Sequence, residues 1–232
     1  MKRWGIVALL VLLALAIGCV VLLLIRQPVG QEAPAKSEIT AQAQYADSSE
    51  SLRYVRCFYA SGELQATGSG FVIAEDGLML TAAHVVEGAF RVTVIDSSGK
   101  EQECTVIHCD ESTDVALLAL PKGNYPALQL AARSPKSGEV VRAMGYPSKE
   151  TLVITEGLVS AAVGTVQDRE RMLVTCEIVN GMSGGPLFNE FGEVIGMASG
   201  SVRTMDGIHL SVLWSDLEAV VSEVRSGKEE QE

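Results

Sequence analysis

At 232 residues and a net charge of −11, the chain is long enough for one sizeable folded domain with extensions. It is too acidic to offer a nucleic-acid surface or to bind anionic lipid headgroups. Part of that acidity sits in the tail Lys228-Glu229-Glu230-Gln231-Glu232 and is no evidence for a basic substrate, and the 47% hydrophobic content is inflated by the N-terminus.

In chain order, Lys2 and Arg3 precede an uncharged apolar run from Trp4 to Ile25, 22 residues long. At about 1.5 Å rise per residue, such a run spans a hydrocarbon core of about 30 Å. A cleaved signal peptide has a shorter apolar region followed by small residues. Here the run continues through Val20-Val21-Leu22-Leu23-Leu24-Ile25, so residues 1–26 are expected to be a retained transmembrane signal-anchor. Lys2 and Arg3 outweigh Arg26, which keeps the N-terminus cytoplasmic and the bulk of the chain extracytoplasmic, a single-pass protein of the cell membrane. The alternative is lipidation at Cys19, because Ala16-Ile17-Gly18-Cys19 resembles a lipoprotein signal; either way the domain is tethered and faces outward. Residues 27–51, with Pro28, Gly30 and Pro34 among Ala, Gln and Ser, read as a flexible linker.

From Leu52 the pattern becomes strand and turn. Residues 52–59 and Arg91–Ile95 read as strands, the latter ending in the turn Asp96-Ser97-Ser98-Gly99. Glu75-Asp76-Gly77 is a hairpin turn between strands at 70–74 and 78–80. Residues 121–137, with Pro126 and Pro135, connect the segment ending near Leu120 to a second strand-rich half. Near the end, Ser215-Asp216-Leu217-Glu218 reads as a capping box, and Leu217, Val220, Val221 and Val224 follow helical spacing. A domain over 52–226 is followed by an acidic tail, 227–232.

Three stretches carry chemistry. Asn180-Gly181-Met182-Ser183-Gly184-Gly185-Pro186 brackets one serine with glycines, which let backbone N–H groups turn toward one spot beside the hydroxyl. Acyl transfer needs that combination of a nucleophile and donors aimed at a developing oxyanion. Leu80-Thr81-Ala82-Ala83-His84 ends an apolar run on a histidine, and Asp114 opens the apolar run 115–120. Base, carboxylate and nucleophile follow in the order His, Asp, Ser.

On these residues the sequence resembles a trypsin-like serine peptidase of the HtrA/Deg branch. The resemblance extends over about residues 53–226, through Gly68-Ser69-Gly70-Phe71-Val72-Ile73, Ala143-Met144-Gly145-Tyr146-Pro147, Thr155-Glu156-Gly157-Leu158-Val159-Ser160-Ala161 and Gly192-Glu193-Val194-Ile195-Gly196-Met197. It implies an all-β fold of two six-stranded antiparallel barrels with a C-terminal helix, the first barrel carrying His84 and Asp114 and the second Ser183. It implies His84, Asp114 and Ser183 as catalytic residues, and the N–H groups of Gly181 and Ser183 as an oxyanion hole. Glu177, six residues before Ser183, stands where trypsin-like enzymes place the base of the primary pocket, and Ser199 and His209 are further pocket candidates. Met182 departs from the usual Asp or Asn at that position. Members commonly form trimers, so a homotrimer is implied, and many carry a PDZ domain after the protease domain, for which the sequence after the helix leaves no room.

His108, in the strand-like stretch 104–109, reads as structural. Four cysteines of the outward domain, Cys57, Cys104, Cys109 and Cys176, permit two disulfides in three connectivities, or free buried thiols; Cys104 and Cys109 face opposite sides of a regular strand. No metal-ligand spacing appears, and no metal or organic cofactor is implied. Two functions stand: a membrane-anchored serine endopeptidase acting on extracytoplasmic proteins or peptides in quality control or regulation, and a catalytically silent protease-fold module that binds unfolded or partner proteins.

Overall fold

Twelve strands close into two antiparallel barrels, and in the computed structural model residues 37–201 and 206–229 are described. The expected membrane segment lies outside the described residues; among the described residues no helix is long and apolar enough to cross a membrane. The first barrel runs β1 (Leu52–Phe58), β2 (Leu64–Val72), β3 (Leu78–Ala82), β4 (Arg91–Ile95), β5 (Glu101–Asp110) and β6 (Val115–Ala119), in the spatial order 1-2-3-6-5-4. The second runs β7 (Val140–Ser148), β8 (Thr151–Val166), β9 (Arg169–Val174), β10 (Pro186–Phe188), β11 (Val194–Ser201) and β12 (His209–Val212), in the order 10-11-12-9-8-7. Two six-stranded barrels are what the resemblance implied. Closure removes the open sheet edges that would otherwise template pairing with other chains.

The strand pattern follows the sequence. Every residue of β3, Leu-Met-Leu-Thr-Ala, is buried, because this strand has the barrel interior on one side and other packed structure on the other. In β5 only Cys104 is fully buried, and the strand bulges between Val106 and His108. The turn before β3 is pinned by Gly77, whose φ of 97° only glycine adopts without strain, and its N–H donates to the carbonyl of Ala74.

The C-terminal helix α3 (Trp214–Glu229) buries Leu217, Val220 and Val221, the helical stripe legible in the sequence. These join a core cluster containing Leu117, Leu118 and Phe188. A fully buried side chain of this size contributes roughly 1.5–3 kcal/mol, so Leu217 is a substantial anchor for the helix. The capping box does not form: the helix already begins at Trp214, and among the described residues Ser215 makes no cap to Glu218. Asp216 and Leu217 instead donate their N–H groups to the carbonyl of Leu213.

Within the expected flexible linker, residues 41–51 are ordered. Thr40 caps helix α1 (Ala41–Ser48) by accepting from Ala43 N at 3.1 Å, and a turn of 3-10 helix, Ser49–Ser51, leads into β1. The segment is fastened to the second barrel: Ile39 N donates to Glu190 O at 2.9 Å, Arg142 Nη1 to Ile39 O at 3.0 Å, and Tyr45 OH to Leu152 O at 3.3 Å. Gln44 and Ser48 are buried and bonded to each other at 2.7 Å. Polar and backbone contacts hold this helix, which is why hydrophobic periodicity did not reveal it.

The four cysteines among the described residues are free. Cys57, Cys104 and Cys176 are buried, and burial pushes each thiol up to about 12, so they are packed as small apolar groups.

Candidate active site

The candidate base, His84, is carried by a single helical turn. After β3, the segment Ala83–Val86 forms the short helix α2, and His84 is exposed on it while Ala83, Val85 and Val86 are buried. Asp114 stands directly before β6 with a φ of 66°, a left-handed conformation that a non-glycine residue holds only against strain. Three contacts impose it. The Asp114 carbonyl accepts from Ala83 N at 3.2 Å, its Oδ1 accepts from His84 N at 3.1 Å, and its carboxylate faces the imidazole.

His84 Nδ1 lies 2.9 Å from Oδ1 and 3.0 Å from Oδ2 of Asp114. A carboxylate only accepts, so the ring proton belongs on Nδ1 and the lone pair on Nε2. The third partner is Ser199, whose hydroxyl donates to Asp114 Oδ2 at 2.5 Å. Ser199 was a pocket candidate in the sequence. Its place in the fold explains the hydroxyl's direction: the β11–β12 register shifts between Ala198 and Gly200, leaving Ser199 out of the ladder. Burial of Asp114 would raise its carboxyl, but the hydrogen bonds and charge of His84 and the bond from Ser199 outweigh that, and the pKa lies below the usual aspartate value.

Ser183 arrives from the second barrel. Its loop is fixed almost wholly by backbone: Met182 N donates to Val179 O, Gly185 N to Met182 O, and Gly184 N to Ala198 O. Met182 is fully buried in the second core, so its side chain fills that core and not the site. Of residues 181–185, the N–H groups of Gly181 and Ser183 donate to nothing among the described residues. Those two are the groups that the resemblance implied as an oxyanion hole.

Missing side chains bring the two halves together. A Cβ on Gly184, which has a φ of 85°, would lie 2.2 Å from Ser69 O and 2.8 Å from Ala82 N, two residues before His84. A Cβ on Gly68 would lie 2.8 Å from Val85 and 3.0 Å from Ser183 O. Glycine at both places is therefore what allows the serine loop and the histidine turn to approach. Among the described residues no hydrogen bond joins Ser183 Oγ to His84 Nε2. A polar cleft of about 480 Å³ opens beside the pair, lined by His84, Asp114, Ser199, Leu210, Gln167 and Arg171.

Glu177 and His209 are placed side by side, with Glu177 Oε2 3.4 Å from His209 Nε2. The contact has ion-pair distance but not hydrogen-bond geometry, and both ring nitrogens of the buried His209 lack partners among the described residues. His108 is part-buried on β5.

Sequence reading gave Ser69 no role. It is fully buried and bonds to Ser183, Gly181, Tyr146 and Thr81. Only its position between two glycines hinted at close packing.

Two antiparallel barrels, the first carrying a histidine–carboxylate pair and the second a glycine-flanked serine, define a chymotrypsin-type hydrolase fold. Comparison with known proteins agrees: the model of the trypsin-like peptidase domain matches residues 68–197, and the chain belongs to that family. Its relatives are of HtrA type. It is 41% identical over 143 residues to a Halomonas elongata protein named "Probable periplasmic serine endoprotease DegP-like", covering 60% of this chain and 30% of that one. It is 38% identical over 156 residues to the serine protease HTRA1 of Xenopus tropicalis, covering 63% and 34%. The chain thus spans about a third of the length of these curated relatives. The crystal structure of the serine endoprotease from Yersinia pestis superposes with a TM-score of 0.70 at 26% identity, covering 82% of this chain and 69% of that one.

Proposed function

We propose that the chain is a serine endopeptidase that cuts extracytoplasmic proteins or peptides through an acyl-enzyme. The observation that carries this reading is the doubly hydrogen-bonded His84–Asp114 pair, together with a serine loop in which the N–H groups of Gly181 and Ser183 donate to nothing among the described residues. His84 Nε2 takes the proton from Ser183 as its oxygen attacks the carbonyl carbon, and returns it to the leaving amine. Asp114, itself held by Ser199, keeps the imidazole in the required tautomer and stabilises the imidazolium. The Gly181 and Ser183 N–H groups receive the oxyanion. Water then repeats the cycle on the acyl-enzyme. Glu177 and His209 bound the primary pocket in this reading.

The relatives named periplasmic, together with the uncharged run 4–25, support an outward-facing domain tethered by its N-terminus. The absence of a hydrogen bond between Ser183 and His84 among the described residues favours a second reading, a silent module that binds proteins without cutting them. One experiment separates the two: labelling of the full-length chain by a fluorophosphonate, with Ser183→Ala and His84→Ala variants. The endopeptidase labels once per chain, not at all in Ser183→Ala, and at least about 10⁴-fold more slowly in His84→Ala. A folded chain that never labels sinks the endopeptidase reading.

A further inference from the structure

Ser69 sits on β2 of the first barrel, yet three of its four hydrogen bonds reach the second. Its N–H donates to Ser183 O at 2.8 Å. Its hydroxyl donates to Gly181 O at 2.8 Å and accepts from Tyr146 N, also at 2.8 Å. Its own carbonyl accepts from Thr81 Oγ1 at 2.7 Å, tying the residue to β3, the strand that leads into the His84 turn. No part of Ser69 is exposed, and its bonds to Tyr146 and Thr81 are fully buried, while the one to Gly181 is part-buried.

The two carbonyls that Ser69 holds belong to Gly181 and Ser183, the residues whose N–H groups are unbonded. The N–H of Ser183 lies in the chain between those two anchored carbonyls, and that of Gly181 lies directly before the first. Gly181 has a φ of 90° and no side chain to resist rotation. What keeps these two peptides in one conformation, beside the N–H bonds of Met182, Gly184 and Gly185, is therefore what binds their carbonyls. We propose that Ser69 is a positioning residue for catalysis: its hydroxyl latches the Gly181 peptide across the barrel interface and so holds the Gly181 and Ser183 N–H groups aimed at the reacting oxygen. This rests on the endopeptidase reading. Assembly of the donor pair is thereby coupled to docking of one barrel on the other.

Removing the hydroxyl leaves the buried Tyr146 N–H and the part-buried Gly181 carbonyl without this partner, and the loop relaxes to satisfy them. Loss of a single oxyanion donor slows other serine proteases about 10²–10³-fold; loosening two without deleting either is expected to have a smaller effect, roughly ten- to a hundredfold.

Ser211 supplies a matched control. It is equally buried, accepts from Met197 N at 3.0 Å and donates to Val212 O at 2.9 Å, but holds no part of the 181–185 loop. The test is the second-order rate and the endpoint of fluorophosphonate labelling in the full-length chain and in its Ser69→Ala, Ser69→Cys and Ser211→Ala variants, with melting temperatures alongside. The expected result for Ser69→Ala is a rate ten- to a hundredfold lower with the endpoint still one label per chain. Ser69→Cys, with a weak donor of similar size, falls between. Ser211→Ala melts earlier by a similar amount but labels within about twofold of the parent. The proposal is overturned if Ser69→Ala labels within twofold of the parent, or if both alanine variants slow equally. It is equally overturned if Ser69→Ala loses endpoint while the surviving fraction reacts at the parent rate. Should Ser69→Ala fail to fold, the rate of Ser69→Cys decides by the same criteria. A folded parent that never labels is a different failure, of the endopeptidase reading itself, and it removes the role assigned to Ser69 with it.

Discussion

The two halves of the site are built by opposite means. The His84–Asp114 half is wired through side chains: an imidazole, a carboxylate and the Ser199 hydroxyl, joined by bonds of 2.5–3.0 Å. The Ser183 half is wired through the backbone, with glycines where any Cβ would collide and with carbonyls tied to Ser69. Side-chain wiring sets proton affinity and is altered by changing a functional group. Backbone wiring sets position and is altered by changing shape. Substitutions in the first half should therefore change rate more than stability, and those in the second should do the reverse or both.

The largest break in that comparison comes from Asp114→Asn. The amide keeps the volume but favours the wrong imidazole tautomer, and by analogy with serine proteases in general the rate of Ser183 acylation should fall about 10⁴-fold, equivalent to about 5.5 kcal/mol of barrier. Labelling kinetics measure it; a fall of less than tenfold would mean that His84 does not depend on this carboxylate.

Next is Gly184→Ala. Its positive φ and a Cβ 2.2 Å from Ser69 O leave no accommodation, so the domain should lose about 3 kcal/mol or more in urea unfolding. Gly62→Ala is the reference: a similar φ of 87° but open space around it, hence only about 1 kcal/mol. Equal losses would show that backbone strain alone, and not the close approach of the barrels, makes Gly184 necessary.

How much of this was legible in the sequence cuts across that line. The His84–Asp114 pair was readable, because a histidine and then an aspartate ahead of a glycine-flanked serine are chemically distinctive, and so were the strands flanking them. Ser199 and Ser69 were not assigned their contacts. The first depends on a register shift between Ala198 and Gly200, and the second on how two barrels dock. Helix α1 escaped because Gln44 and Ser48 are buried through hydrogen bonds, which leave no apolar stripe. The Ser215 capping box failed for a local reason: the chain was already helical at Trp214.

Ser199→Ala sharpens the comparison by removing one bond from the side-chain half while leaving the pair intact. We expect about a tenfold slower acylation and a stability loss of about 1–2 kcal/mol at neutral pH, since the bond is made to a charged group. Asp114 has a depressed folded pKa, so its stabilisation is present above the unfolded value near 3.9 and is lost as pH falls through the folded value. Parent and variant should accordingly converge in urea midpoint below about pH 4. Curves that stay parallel to low pH would mean that the Ser199 hydroxyl contributes through packing and not through the carboxylate.

The smallest expected effect belongs to Asp110, at the outer end of the hairpin that also delivers Asp114. Its carboxylate accepts from Ser112 Oγ at 2.7 Å, Thr113 Oγ1 at 2.8 Å and Ser112 N at 2.9 Å, and these bonds hold its pKa at about 2. Against an unfolded value near 3.9 that difference corresponds to about 2.6 kcal/mol without screening; solvent screens this outer turn and reduces it to about 1 kcal/mol. Asp110→Asn should therefore lose about 1 kcal/mol at pH 7. The difference should hold down to about pH 4.5 and vanish between pH 4 and pH 2, where the parent's carboxylate is itself protonated. If the variant also acylates Ser183 at the parent rate, the turn acts only as a scaffold. If acylation slows as well, strain at the left-handed Asp114 is set from the turn four residues before it, and the side-chain half of the site extends further along the chain than its three bonded residues.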